Sequence, residues 1–295
     1  FSFREFDFSL MKEMTVFSSF VFIYMVIDQI NWNVDKFILG RFKGTNEVAI
    51  YSLGAQLNTY LISISTAISS VFVPRVHNIV AKNSENDELM NLFIKVGRVQ
   101  FAVVGLVITG FTIFGQSFIN LWAGTIYYDS YKVAVLLMIP MIVVLIQNLG
   151  IEIRKAFNKH KTPAIFMLCV VLANIVITIP LAKAYGSVGS AFGTTIAVII
   201  NQILINIYYQ KVIGLNMRLF WKEIYSVSKG IVIPVFIGIL LLPFRSNISD
   251  LTFLFLAVPY SIIYIFSIYI IGLNDYEKKL LLNDKLRKLF KMRSK

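Results

Sequence analysis

The sequence predicts an all-α integral membrane protein with about eight transmembrane helices. Three observations carry this. Hydrophobic residues make up 57% of the chain and charged residues 15%, whereas a soluble domain averages about 45–50% apolar and about 25% charged. The mean hydropathy of +0.72 over 295 residues exceeds what one buried core needs. Finally, the Lys and Arg residues fall on alternate connections: 22 lie on one set and on the chain ends, and 6 on the other. Cytoplasmic loops retain Lys and Arg, so both ends of the chain are expected in the cytoplasm. The net charge of +12 sits at the ends of apolar runs, which suits anionic lipid headgroups and argues against nucleic acid. Cys169 is the one cysteine, so there is no disulfide framework and no Cys/His metal spacing. The chain begins Phe1-Ser2-Phe3-Arg4 with no initiator Met or signal peptide, which we read as a missing N-terminal region.

The first span is expected from about Met14 to Gly40. Its outer half carries Asp28, Asn31, Asp35 and Lys36. The second, about Val48 to Val73, is rich in Ser, Thr, Gly and Ala. A basic inner loop follows, in which Ser84-Glu85-Asn86-Asp87 signals a helix N-terminus. The third span, about Val96 to Gly115, ends in an aromatic loop with Phe118, Trp122, Tyr127, Tyr128 and Tyr131, suited to the outer membrane–water boundary. The fourth, about Val133 to Ile151, contains Pro140 and exits into a basic inner loop. The fifth runs from Pro163 to Ala184, and a Gly turn at Gly186-Ser187-Val188-Gly189 leads into the sixth, ending near Tyr209. The seventh and eighth, about Gly230 to Phe244 and Leu251 to Ile271, carry almost no polar side chains. From Asn274 to Lys295 there are 8 Lys/Arg, with Leu282, Leu286 and Leu289 at helical spacing. This predicts a basic amphipathic helix on the cytoplasmic surface, with a disordered tail as the alternative. The expected organisation is a cytoplasmic lead-in (1–13), a six-helix transmembrane bundle (14–209), an inner loop with two lipid-facing helices (210–272) and the basic tail (273–295).

Polar residues in hydrocarbon are expensive, so spans that carry many must face water or another helix. In the second span Ser52, Gln56, Thr59, Ser63, Thr66 and Ser70 are spaced four, three, four, three and four, one stripe along a helix. It suits either helix–helix packing or the wall of an aqueous path. In the first span Tyr24, Asp28, Asn31 and Asp35 share a face. Asp28 lies roughly 21 Å from the inner end, and an intramembrane carboxylate is a candidate ion site, proton relay or substrate contact. An ion pair with another helix is the alternative for Asp28, and the outer water boundary for Asp35 and Lys36. Lys36 and Arg41 on the outer side, and Arg75, Arg98 and Arg154 at inner helix ends, are candidates for an anionic head group, because Arg binds phosphate bidentately. Positive-inside anchoring explains most of the inner Arg and Lys without any function. Gly189-x-x-x-Gly193 reads as a helix-packing motif. No Walker-type loop is present, His77 and His160 read as solvated loop residues, and no acid–base partners assemble around Asp129 or Asp250.

Asp35-Lys36-Phe37-Ile38-Leu39-Gly40-Arg41-Phe42 and Val48-Ala49-Ile50-Tyr51-Ser52 resemble the start of the second half of Wzx-type polysaccharide flippases, of the MATE/MOP-like superfamily. So do Phe157-Asn158-Lys159-His160-Lys161, Asn174, Pro180-Leu181 and Gly186-Ser187-Val188-Gly189-Ser190-Ala191-Phe192-Gly193-Thr194. The resemblance covers essentially the whole chain. It implies two similar six-helix bundles in the complete protein, of which this chain would be the second plus two extra helices. It also implies a bacterial plasma-membrane location and flipping of undecaprenyl-pyrophosphate-linked oligosaccharide repeat units for O-antigen or capsule. The implied mechanism is alternating access with no ATPase site or bound cofactor, coupled to a Na+ or H+ gradient or to membrane potential. The implied partners are the lipid-linked substrate, membrane lipids, the first bundle and a polysaccharide polymerase. The rivals are a multidrug or cation antiporter of the same fold, and a membrane-embedded polymerase or acyltransferase.

Overall fold

The computed structural model describes residues 33–82, 86–159 and 161–274, with 8, 11, 12, 14, 15, 18, 29, 277 and 278. Among these every regular element is helical: the all-α membrane architecture expected from composition is what the chain adopts. Helical residues 33–42 (α1) are followed by α2 (Thr45–Ser70), α3 (Val73–Ala81), α4 (Asn86–Trp122), a 3-10 turn (Thr125–Tyr127), α5 (Tyr128–Leu145), α6 (Leu149–Ala156) and α7 (Lys161–Tyr208). A π-helical turn (Tyr209–Ile213) leads to α8 (Met217–Leu241). A 3-10 stretch (Leu242–Asn247), α9 (Asp250–Phe255), α10 (Ala257–Ser267) and a second π-helical turn (Ile268–Gly272) follow. Five described helical stretches are long and apolar enough to cross a membrane, and the bent pair α2–α3 makes a sixth.

One of those stretches, Thr162–Ile213, has 52 residues, about 78 Å if straight and far more than the roughly 30 Å of hydrocarbon. It is folded in two. Gly186 has φ 61°, ψ −140°, a conformation open to glycine and strained for other residues. The halves then run back along each other: a Cβ on Gly189 would strike the Leu181 carbonyl, and one on Gly193 would lie 3.2 Å from the Thr178 Cα. The Gly189/Gly193 pair is therefore the close-approach surface of a helical hairpin. Glu47 of α2 closes the tip, its carboxylate accepting the Ser187 N–H at 2.6 Å and capping the returning helix.

α4 organises the rest. One side packs against α2 and α5, which also contact α7, and the other against α8, α9 and α10. Gly54 lets α2 approach α5 so closely that a Cβ there would meet Val133 at 2.6 Å and the Ala134 N at 3.0 Å. On the far side Phe93 stacks on Phe220 at 4.6 Å, with Tyr209 edge-on at 5.9 Å. The final helices expected to be nearly apolar still turn Tyr260, Tyr264 and Ser267 inward: the Tyr264 hydroxyl donates to the Ala102 carbonyl and the Ser267 hydroxyl to that of Gly230. The fourth span is broken, with a turn at residues 146–148 between α5 and α6.

Candidate functional site

Asp35 is buried within the protein, although only about ten ångströms of helix separate it from the end of α1. Three hydroxyls from two other elements close on its carboxylate. Tyr51 of α2 donates to Oδ2 at 2.6 Å. Ser190 and Thr194, successive turns of the second half of α7, donate to Oδ1 and Oδ2 at 3.0 Å each. The hairpin at Gly186 puts those two hydroxyls beside α1. Below them a cavity of about 190 Å³ opens between α2, α5 and both halves of α7. Asp35, Asn58, Asn174, Thr194 and Asn201 supply its polar wall, and Met141, Met167 and Val171 are among its apolar residues. The amide oxygens of Asn58 and Asn201 are buried there with no hydrogen-bond partner, whereas Asn174 accepts from Thr178 at 2.9 Å.

The polar stripe of α2 takes the opposite course. Tyr51, Gly54, Asn58, Leu61, Ser65 and Ser69 form the buried face of that helix, while Gln56, Thr59, Ser63, Thr66 and Ser70 are exposed and Ser52 is half-exposed. Apart from Thr66, which the Asn148 amide reaches at 3.2 Å, the stripe is turned away from the other described helices. Four of its six members donate locally: Thr59 to the Ala55 carbonyl and Ser63 to that of Thr59, each at 3.0 Å, Ser70 to that of Ala67 at 2.9 Å, and the Gln56 amide to the Tyr60 hydroxyl at 2.6 Å. What the stripe offers outward is chiefly oxygen lone pairs.

A family model for polysaccharide biosynthesis proteins matches residues 3–132. A Shigella flexneri protein named "Putative O-antigen transporter" is 22% identical over 211 residues, 70% of this chain and 49% of that protein. The Wzx-type resemblance is borne out. The chain spans about half the length of the curated relative it matches. No solved structure matches it.

The other sequence-predicted residues scatter. Asp28 and Asn31 lie outside the described residues, as do His160 and Leu282, Leu286 and Leu289 of the tail. Lys36 donates to Asn33 at 3.0 Å. Arg41 is exposed at the α1–α2 turn, where Lys183 of the α7 hairpin sits 4.4 Å over the Phe42 ring. Arg75 is exposed, 3.8 Å from Glu88, and Arg154 lies over the Tyr209 ring at 5.6 Å. Arg98 is 2% exposed and its donors are spent on protein. Nε and Nη2 grip Glu277 at 2.5 and 2.8 Å, Nη1 reaches the carboxylate and carbonyl of Glu223, and Nη2 also reaches the Gly272 carbonyl. Arg98 is thus a clasp joining α4, α8 and the start of the tail. There Asn274 and Glu277 cap each other reciprocally at 2.9 and 3.0 Å.

Site reasoning from sequence missed Asn58 and Asn201 of the cavity. It also missed Gln100, which donates to Ser65 and Ser69, and the Gln147–Gln202–Asn206 chain. A Gln or Asn on the buried face of an apolar helix was the available signal.

Proposed function

We propose that this chain is the C-terminal part of a transporter that flips undecaprenyl-pyrophosphate-linked oligosaccharide repeat units across the bacterial plasma membrane by alternating access, with both ends of the chain in the cytoplasm. One observation carries the reading: a membrane-length polar stripe on α2 faces largely away from the other described helices. Such a surface is costly against lipid, so it belongs on a water-filled path, completed by a first bundle beyond this chain. Gln56, Thr59 and Ser63 line that path, with Lys36 and Arg41 at its outer end and Arg75 and Arg154 at its inner end. Arg98 is left to its structural clasp.

Asp35 is proposed as the group through which transport couples to a Na+ or H+ gradient. The residues fit: a carboxylate and two unpartnered amide oxygens line one cavity, and hard oxygen donors suit a small cation. Ordinary exchange of Asp35 hydroxyl partners would then bias the packing of α1 against the α7 hairpin.

In the full-length protein, Asp35→Asn should lower surface polysaccharide at least tenfold at unchanged membrane abundance. Gln56→Ala should lower it severalfold. Normal polysaccharide in both variants would overturn the site. Deletion of the gene with intact surface glycan but new drug sensitivity would replace the flippase reading with the antiporter.

A further inference from the structure

Two neighbouring spans are broken side by side. α2 ends at Ser70, and α3 leaves at 44° after Val71 and Phe72. α5 ends at Leu145, and α6 resumes at Leu149. At both breaks the helical ladder slips to tighter i→i−3 bonds: Phe72 N–H donates to the Ser69 carbonyl at 3.0 Å, Gln147 to Val144 at 3.1 Å and Asn148 to Leu145 at 3.2 Å. Such stretches inside a helix mark hinges. Beyond the breaks, α3 packs against α6.

A polar knot sits between the two breaks. Ser65 of α2 donates to the Leu145 carbonyl at 2.9 Å. Gln100 of α4 donates to the hydroxyls of Ser65 at 3.1 Å and Ser69 at 2.6 Å. Asn148 reaches across to Ser65 at 3.4 Å and Thr66 at 3.2 Å. These last bonds are long, while the Gln100 amide oxygen is buried without a partner. The knot therefore holds a spare acceptor next to a loosely held donor, and a small movement of Asn148 could exchange one pairing for another. Buried polar clusters with two near-equivalent arrangements are the kind of element that switches rather than deforms.

We infer that α3 and α6 form one inner unit that tilts about the breaks at Val71–Phe72 and Ile146–Asn148, with Ser65, Gln100 and Asn148 as its pivot. The inference rests on the transporter reading, since only a protein that opens alternately needs such a hinge. Gln100 and Ser65 are positioning residues that touch no cargo.

The test uses the full-length protein in proteoliposomes, with Cys169→Ser to remove the native thiol, and spin labels on exposed positions. Pair Asn46/Asn78 spans the α2–α3 break, Ile126/Ile151 spans the α5–α6 break, and Asn78/Ile151 reports within the inner unit. The expected result is two populated distances for each spanning pair, shifting together when a Na+ or H+ gradient is imposed, and one distance within the unit. Gln100→Leu should change the ratio of the two populations about fivefold or more; Ser69→Ala, a milder change, should move it in the same direction. A single distance for both spanning pairs under all conditions, movement of one pair without the other, or a second distance within the unit would each overturn the inference. The distances are read without substrate, so a failed hinge and a failed flippase assignment remain separate results.

Discussion

Asp35 and Arg98 are two charged residues within apolar spans, and their neighbours give them opposite duties. Asp35 is held by three neutral hydroxyls beside a cavity with unpartnered amide oxygens, an environment that can accept a further positive charge. Arg98 is held by two carboxylates and two carbonyls, an environment already complete. Arg98→Ala would leave the Glu277 carboxylate, 4% exposed, without its guanidinium, and removing one partner of a buried ion pair costs about 3–5 kcal/mol. A clear fall in the unfolding temperature of the purified protein in detergent is expected, with Glu277→Gln milder because the amide still accepts from Asn274 and Arg98. An unchanged melting profile for Arg98→Ala would show that the clasp contributes nothing to folding. Asp35 was visible in the sequence because a carboxylate in an apolar run is conspicuous. Its partners were not, because Ser190 and Thr194 lie 155 and 159 residues away and serine or threonine in a membrane helix carries no mark of what it binds. The same distance hid Glu277, which turns Arg98 from an anion contact into a clasp.

At the scale of elements, two glycines fix how close the helices come. Gly186→Ala would hold a Cβ at φ 61°, a strain of about 1–3 kcal/mol, and press it 2.6 Å from the Glu47 carboxylate that caps the hairpin. Loss of the Ser187 cap should show as a lower melting temperature and as faster proteolysis at the hairpin tip. Gly54→Leu would drive α2 off Val133 and Ala134 of α5, and the expected outcome is loss of folded protein from the membrane, read as monodisperse yield after extraction; wild-type yield would mean that the helices can separate without harm. The Gly186 turn was legible because glycines and a serine interrupt an apolar run. The break in the fourth span was not. Hydropathy runs on through Leu145 and Ile146, and Gln147 and Asn148 read as two polar residues in a continuous helix until their amides are seen bonding to α7 and α2. Periodicity found the stripe on α2. Which way it faces depended on α4 and α5 taking the other side of that helix.

For the whole molecule, the alternation of basic loops makes a topological prediction that side-chain packing does not. With Ile126, 77% exposed, on the outer side and Lys82 on the inner, Ile126→Cys in a Cys169→Ser background should react with a membrane-impermeant maleimide in intact cells. Lys82→Cys should react only after permeabilisation. The reverse pattern would invert the topology and exchange the two ends of the proposed path. The fold class followed from composition because an average over 295 residues is insensitive to detail. The path did not follow so simply, because a surface left open among the described helices is defined as much by what would cover it as by its own residues.

The exposed stripe on α2 has one further consequence. Because the hydroxyls of Thr59, Ser63 and Ser70 donate back to helix carbonyls, the proposed wall would show a cargo many weak acceptors and few strong grips. A glycan rich in hydroxyl donors would find a similar partner at each turn, so sliding would trade one contact for the next with little rise in energy. On the proposed reading such a lining would act as a low-friction rail, tolerating chains of different length and branching and leaving discrimination to whatever stands at the two mouths.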